Sequence, residues 1–177
     1  MRSVRFALVL SALSVCVGFA ALETAQDKSS APEQSKDDQA LEKLLDDADL
    51  FYKKSYYEQG QRWEYKIAWS ESGETSMLTV YLRSMGTRAD GSTIWVVYAW
   101  TQAMSAGQGE DLSPAIIKLV AAINDTIVTG NVSVAGNGVY TNTGIVMQDL
   151  TARALSLTLW DLHHTRLRVR REIAALE

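Results

Sequence analysis

Residues 62–101 carry three successive runs in which apolar and polar positions alternate. In the first, Trp63, Tyr65, Ile67 and Trp69 occupy the odd positions, while Arg62, Glu64, Lys66, Ala68 and Ser70 occupy the even ones. So strict a period of two is that of a half-buried strand. The second run, residues 77–83, sets Leu78, Val80 and Leu82 on one side and Met77, Thr79, Tyr81 and Arg83 on the other. The third, residues 93–101, is apolar on both faces, with Ile94, Val96, Tyr98 and Trp100 against Trp95, Val97 and Ala99. Turn signals separate the runs: Ser70-Glu71-Ser72-Gly73-Glu74, then Gly86 and Ala89-Asp90-Gly91-Ser92. The pattern predicts an antiparallel three-strand meander whose third strand is covered on two sides.

The flanking segments change to helical spacing. Leu41, Leu44, Leu45 and Ala48 recur at three and four residues among acidic positions, predicting an amphipathic helix that stops near residues 50–58. The aromatic stretch 51–57 reads either as its last turns or as a short strand. Beyond a polar loop over residues 104–112, Ser113-Pro114 supplies a cap and a first-turn proline. The helix that follows, residues 115–128, bears Ile116, Ile117, Leu119, Val120, Ile123 and Ile127, with Gly130 as its C-terminal stop. Its wide apolar surface predicts contact with two layers. Residues 132–147, turning at Gly136-Asn137-Gly138, predict a hairpin. Asp149 or Thr151 then caps a long helix with Leu155, Leu159, Leu162, Val169, Ile173 and Leu176 in a stripe that Arg166 interrupts.

The expected order is α-β-β-β-α-β-β-α, an α+β domain with helices packed on an antiparallel sheet. Its core is assigned to Trp63, Tyr65, Ile67, Trp69, Leu78, Val80 and Leu82, covered by Leu41, Leu44, Leu45, Leu155, Leu159 and Leu162. The third strand adds either Trp95 and Val97 or Tyr98 and Trp100 to the wetter face. The cover there is either the 115–128 helix or a second copy, so a homodimer is expected on this region.

The N-terminal segment alters the setting. Arg2 and Arg5 precede an apolar run over residues 6–17, followed by Gly18, Ala20 and Ala21, the pattern of a secretory signal peptide over residues 1–20. The run falls short of the roughly 20 residues that span a bilayer. An exported, periplasmic or extracellular bacterial protein is expected, with no transmembrane segment in the mature chain. Lipidation at Cys16, the chain's one cysteine, is the alternative route, although Val15 is bulky for a lipobox. Cleavage after Ala20 leaves no cysteine, which excludes disulfides, thiolate metal sites and a cysteine nucleophile. It also removes two of 17 basic residues and none of 21 acidic ones, moving the formal charge from −4 to −6. Such a charge speaks against nucleic acid as a partner. Residues 21–38, rich in Ala, Ser, Gln and charge, are expected to be a disordered leader, and residues 39–177 a single domain.

No catalytic constellation emerges. His163 and His164 point about 100° apart on a helix, and the Asp161–His164 edge lacks further metal ligands. No nucleophile motif is present, and Gly107-Gln108-Gly109 and Gly136-Asn137-Gly138 read as turns, not phosphate loops. Arg166, Arg168, Arg170 and Arg171 form a basic cluster that either offsets the helix dipole or docks an acidic partner. Trp63, Trp69, Trp95, Trp100 and Trp160 are either core or the lining of a ligand pocket. The binding candidates are Trp95, Val97, Tyr98, Trp100, Arg166 and Arg170.

The element order, with its apolar helix running into Ala121-Ala122-Ile123-Asn124-Asp125-Thr126-Ile127-Val128-Thr129-Gly130-Asn131-Val132, resembles the bacterial YbjN-like family over residues 40–175. That family is similar in fold to type III secretion chaperones. The resemblance implies a small, usually dimeric, protein-binding module without a cofactor, and it supplies no catalytic residues. This chain departs from the chaperones in its export signal, since they act in the cytoplasm. An exported, chaperone-like protein-binding module that is not an enzyme is the resulting expectation. A carrier of lipid or another apolar small ligand is the alternative.

Overall fold

The computed structural model of the chain describes residues 31–127 and 129–176. The expected signal peptide, Cys16 and the leader up to residue 30 lie outside the described residues. Ser35 opens the first helix, α1 (Lys36–Asp47). Its hydroxyl accepts the Asp38 N–H at 3.0 Å, while the Asp38 carboxylate accepts the Ser35 N–H at 3.3 Å. This reciprocal cap satisfies two donors that a helix start leaves free. Gln34, within the expected leader, already donates to the Tyr65 hydroxyl at 2.9 Å and to Glu42 at 2.8 Å. The folded region thus begins before residue 39.

The helix ends where Asp49 turns left-handed, with φ 54°. The Leu50 N–H then reaches back to the Leu45 carbonyl at 3.1 Å and the Asp49 N–H to Asp46 at 2.9 Å, the two bonds of a Schellman motif. Freed from the helix, the aromatic stretch becomes a strand, β1 (Tyr52–Tyr57). It pairs antiparallel with β2 (Arg62–Glu71), and β2 turns through Ser72 and Gly73, both at positive φ, into β3 (Glu74–Thr87). Next come β4 (Thr93–Ser105) and α2 (Pro114–Asn124), then the hairpin of β5 (Asn131–Ala135) and β6 (Gly138–Val146). The last element described is α3 (Ala152–Ala174), capped by Thr151.

The molecule is therefore α+β, with a six-stranded antiparallel sheet in the order β1-β2-β3-β4-β6-β5 and three helices among the described residues. The element order differs from expectation by one strand, β1. The sequence left residues 51–57 open, and the Schellman stop at Asp49 settles them as strand.

All three helices pack on one face of the sheet. Leu41 and Leu45 of α1 meet Tyr65, Ile67, Leu78, Val80, Leu82, Val97 and Ala99 in one apolar cluster, joined by Leu155, Leu159 and Leu162 of α3. A second cluster gathers Ile116, Val120 and Ile123 of α2 with Ala103, Val132 and Val139 of the sheet and Val169 and Ile173 of α3. Of the two covers open for the wetter face, α2 is ruled out, because it lies on the same side as the other helices. It touches both the sheet and α3, but with one stripe, leaving Ile117 half exposed. Among the described residues no helix is long and apolar enough to cross a membrane.

Candidate functional site

Alternation in β2 and β3 sends Arg62, Glu64, Lys66, Thr79, Tyr81 and Arg83 to the face away from the helices. The register sets Thr79 beside Trp100, Tyr81 beside Tyr98 and Arg83 beside Val96 of β4. On the far side of β4, Trp100 faces Asn142, Gln102 faces Tyr140 and Val96 faces Val146 of β6. No element among the described residues lies over this face. The two halves differ in kind: cations cluster on β1 to β3, and aromatic and apolar groups on β4 and β6.

The cationic half is built in layers. Glu64, 7% exposed, lies beneath Arg62, whose guanidinium donates to it at 2.7 and 3.1 Å. The same guanidinium sits 3.8 Å from the Tyr81 ring centroid and 4.9 Å from that of Tyr57. Gly60 is what admits this stack, because a Cβ there would come within 2.5 Å of the Tyr57 ring and 2.9 Å of the guanidinium. Arg83 lies 5.9 Å from the Tyr98 centroid, and the Tyr81 and Tyr98 rings are 5.2 Å apart. Burial pushes both phenols above their ordinary range against the opposing pull of Arg83, which Arg62 joins at Tyr81. They remain neutral donors. A cleft of about 540 Å³ runs beside Tyr81, lined by Arg62, Arg83 and Ser84 and also by Asp38, Leu82 and Trp95 from the helix side.

The aromatic half is simpler. Trp100 and Tyr140 meet edge to face at 5.6 Å, and Val146 and Met77 are each at least half exposed. Gly144 faces outward on β6 between Asn142 and Val146, where a Cβ would come within 2.9 Å of Val96.

The six candidate residues are split by the sheet. Tyr98 and Trp100 come together on the open face. Val97, 2% exposed, belongs to the first core cluster and Trp95 packs against it, so their strand face is turned to the helices. Arg166 and Arg170 lie on α3, on that same side. Arg166 is tied to strand carbonyls, donating to Gln102 at 2.8 Å and Thr75 at 3.2 Å, and to Ser76 Oγ at 3.1 Å. This explains why a cation interrupts the apolar stripe. Arg168 pairs with Glu172 at 2.6 Å and Arg170 approaches Glu74 at 3.7 Å, so the basic cluster is largely engaged within the chain.

The two histidines lie in different surroundings. His163 is fully buried, with Nδ1 2.7 Å from Ser76 Oγ and no partner for Nε2. Burial foremost, then the neighbouring His164 and Arg166, push its pKa below the ordinary value, against the pull of Glu71 and Glu74. Ser76 and His163 are both fully buried and so present no atom to a substrate. His164 meets Glu71 at 3.1 Å, and Asp161 accepts from Thr129. No three His, Cys, Asp or Glu side chains converge among the described residues. Nor do the five tryptophans: Trp63, Trp69 and Trp95 flank the core, Trp100 lies across the sheet and Trp160 is exposed.

Tyr57, Tyr81 and Tyr140 were missed as site residues. Tyr81 shares its parity with Arg83, and that parity was the available signal. Tyr57 and Tyr140 needed the pairing of β1 with β2 and of β6 with β4, which spacing alone does not give. The chain matches no model of a known protein family, and no curated protein matches it in sequence.

Proposed function

We propose that this chain is a non-covalent protein-binding module, chaperone-like in mode of action and working outside the cytoplasm, whose binding surface is the open face of the sheet. The observation that carries this reading is the uncovered set Val96, Tyr98, Trp100, Tyr140 and Val146, apolar and aromatic groups brought flush on two adjacent strands. Uncovered patches of this composition mark interaction sites, and aromatic residues supply most of the energy at such interfaces. The export pattern of Arg2, Arg5 and the apolar run after them supports the location. The YbjN-like resemblance in element order supports the mode. A second copy of the chain is the competing occupant of the face.

The test is photo-crosslinking in the cell envelope from a benzoylphenylalanine at position 100, with position 118 on the exposed side of α2 as control. A defined protein adduct from position 100 alone is expected. An adduct to another copy of the chain would identify the face as a homodimer interface. Equal labelling from both positions, or none from position 100, would remove the open face as the binding surface.

A further inference from the structure

The cations of the open face are arranged against their own electrostatics. Lys53 stands directly opposite Lys66 across the β1–β2 pair, and like charges directly opposed on one face destabilise a sheet. Some of the chain's cations are neutralised: Lys43 pairs with Asp47, Lys54 with Glu42, Arg168 with Glu172 and Arg170 with Glu74, and on the open face itself Arg62 pairs with Glu64. Among the described residues Lys53, Lys66 and Arg83 have no such partner. The one carboxylate on their face, Glu64, is already taken by Arg62. A protein with 21 acidic and 17 basic residues thus leaves three cations unpaired on the face that also carries its uncovered aromatic patch.

We infer that the open face binds an acidic polypeptide segment, its carboxylates meeting Lys53, Lys66 and Arg83 and its apolar side chains lying on Trp100, Tyr98 and Val146. This rests on the binding role assigned to the face above and names the partner's chemistry. A second copy docked through the same face fits poorly, because that face would bring the same cations and a carboxylate already paired, and buried cations without counter-charges are costly. Single-stranded nucleic acids bind such platforms by stacking bases on ring faces. Here Arg62 already covers the Tyr81 ring at 3.8 Å, and Trp100 and Tyr140 meet edge to face, which is not a row of parallel stacking surfaces.

The experiment uses the full chain and a synthetic peptide with a glutamate run followed by an apolar run. A peptide with lysine in place of glutamate, heparin and oligo-dT serve as comparisons. Binding is followed by titration calorimetry at low and high NaCl, with light scattering to report self-association. The glutamate peptide alone is expected to bind, weakening about tenfold or more as salt screens the contacts. Lys66→Glu and Arg83→Glu should each weaken it by a similar factor, while Lys118→Glu on α2 leaves it unchanged. Both open-face side chains are exposed, and circular dichroism confirms that the variants fold. Equal or tighter binding of heparin or oligo-dT would overturn the polypeptide assignment. Binding that ignores both charge reversals but is lost in Trp100→Ala would overturn the acidic partner and leave the face as a binding surface. Loss of self-association in Trp100→Ala, with no peptide bound, would assign the face to a second copy. Absence of all binding and self-association would sink both readings.

Discussion

His163 is a residue whose surroundings make a demand on solution conditions. Its native form is neutral, held so by burial and by the cations nearby. An ordinary histidine takes its proton near pH 6.5, so as the pH falls below that value the unfolded chain protonates before the native one. Stability present above about pH 6.5 is therefore lost as the pH drops toward the lowered native value. Urea denaturation at neutral and mildly acid pH should show a steeper loss for the wild type than for His163→Phe, which cannot titrate. Parallel slopes would place the acid sensitivity elsewhere. Asp49 makes a different demand. It takes the left-handed position that usually belongs to glycine at a helix end. Asp49→Gly should recover a fraction of the roughly 1–2 kcal/mol that this conformation costs an L residue, and Asp49→Val should lower stability, both read from urea midpoints. This same residue is why the end of α1 was hard to read in the sequence. A glycine there would have announced the stop, whereas an aspartate looks like one more solvated helix position.

At the scale of elements, the alternating runs were legible because one face of each strand is buried and the other is not. Trp63, Tyr65, Ile67, Trp69, Leu78, Val80 and Leu82 all lie in or against the first core cluster, as their parity required. β4 was legible as a strand but not as to its orientation, because both of its faces are apolar. That ambiguity is resolved by Val97 and Ala99, each 2% exposed, which fix the odd positions beneath the helices. Trp95→Glu should then unfold or strongly destabilise the chain, since it drives a charge against that core. Trp100→Glu should leave it folded, with an unchanged circular dichroism spectrum and lost binding. If both variants unfold, the open face is covered in solution and the binding surface lies elsewhere. The placement of α2 was open for a similar reason. A helix rich in isoleucine shows how much apolar surface it has, but not which side of a sheet receives it.

Across the whole molecule, strand order nearly follows chain order, so most of the sheet forms from neighbouring hairpins. The exception in timing is α3. Leu155, Leu159 and Leu162 complete one apolar cluster, Val169 and Ile173 the other, and His163 and Arg166 bind strand atoms between them. Every strand precedes this helix in the chain. A polypeptide emerging N-terminus first from a ribosome thus presents every strand of the sheet before the element that seals both halves of it. Until the segment after Thr151 is released, strands such as β2 and β3 display Ile67, Leu78 and Val80 without their lid, the condition under which chains aggregate or are held by other proteins. Closure of both apolar clusters thus waits for the segment after Thr151.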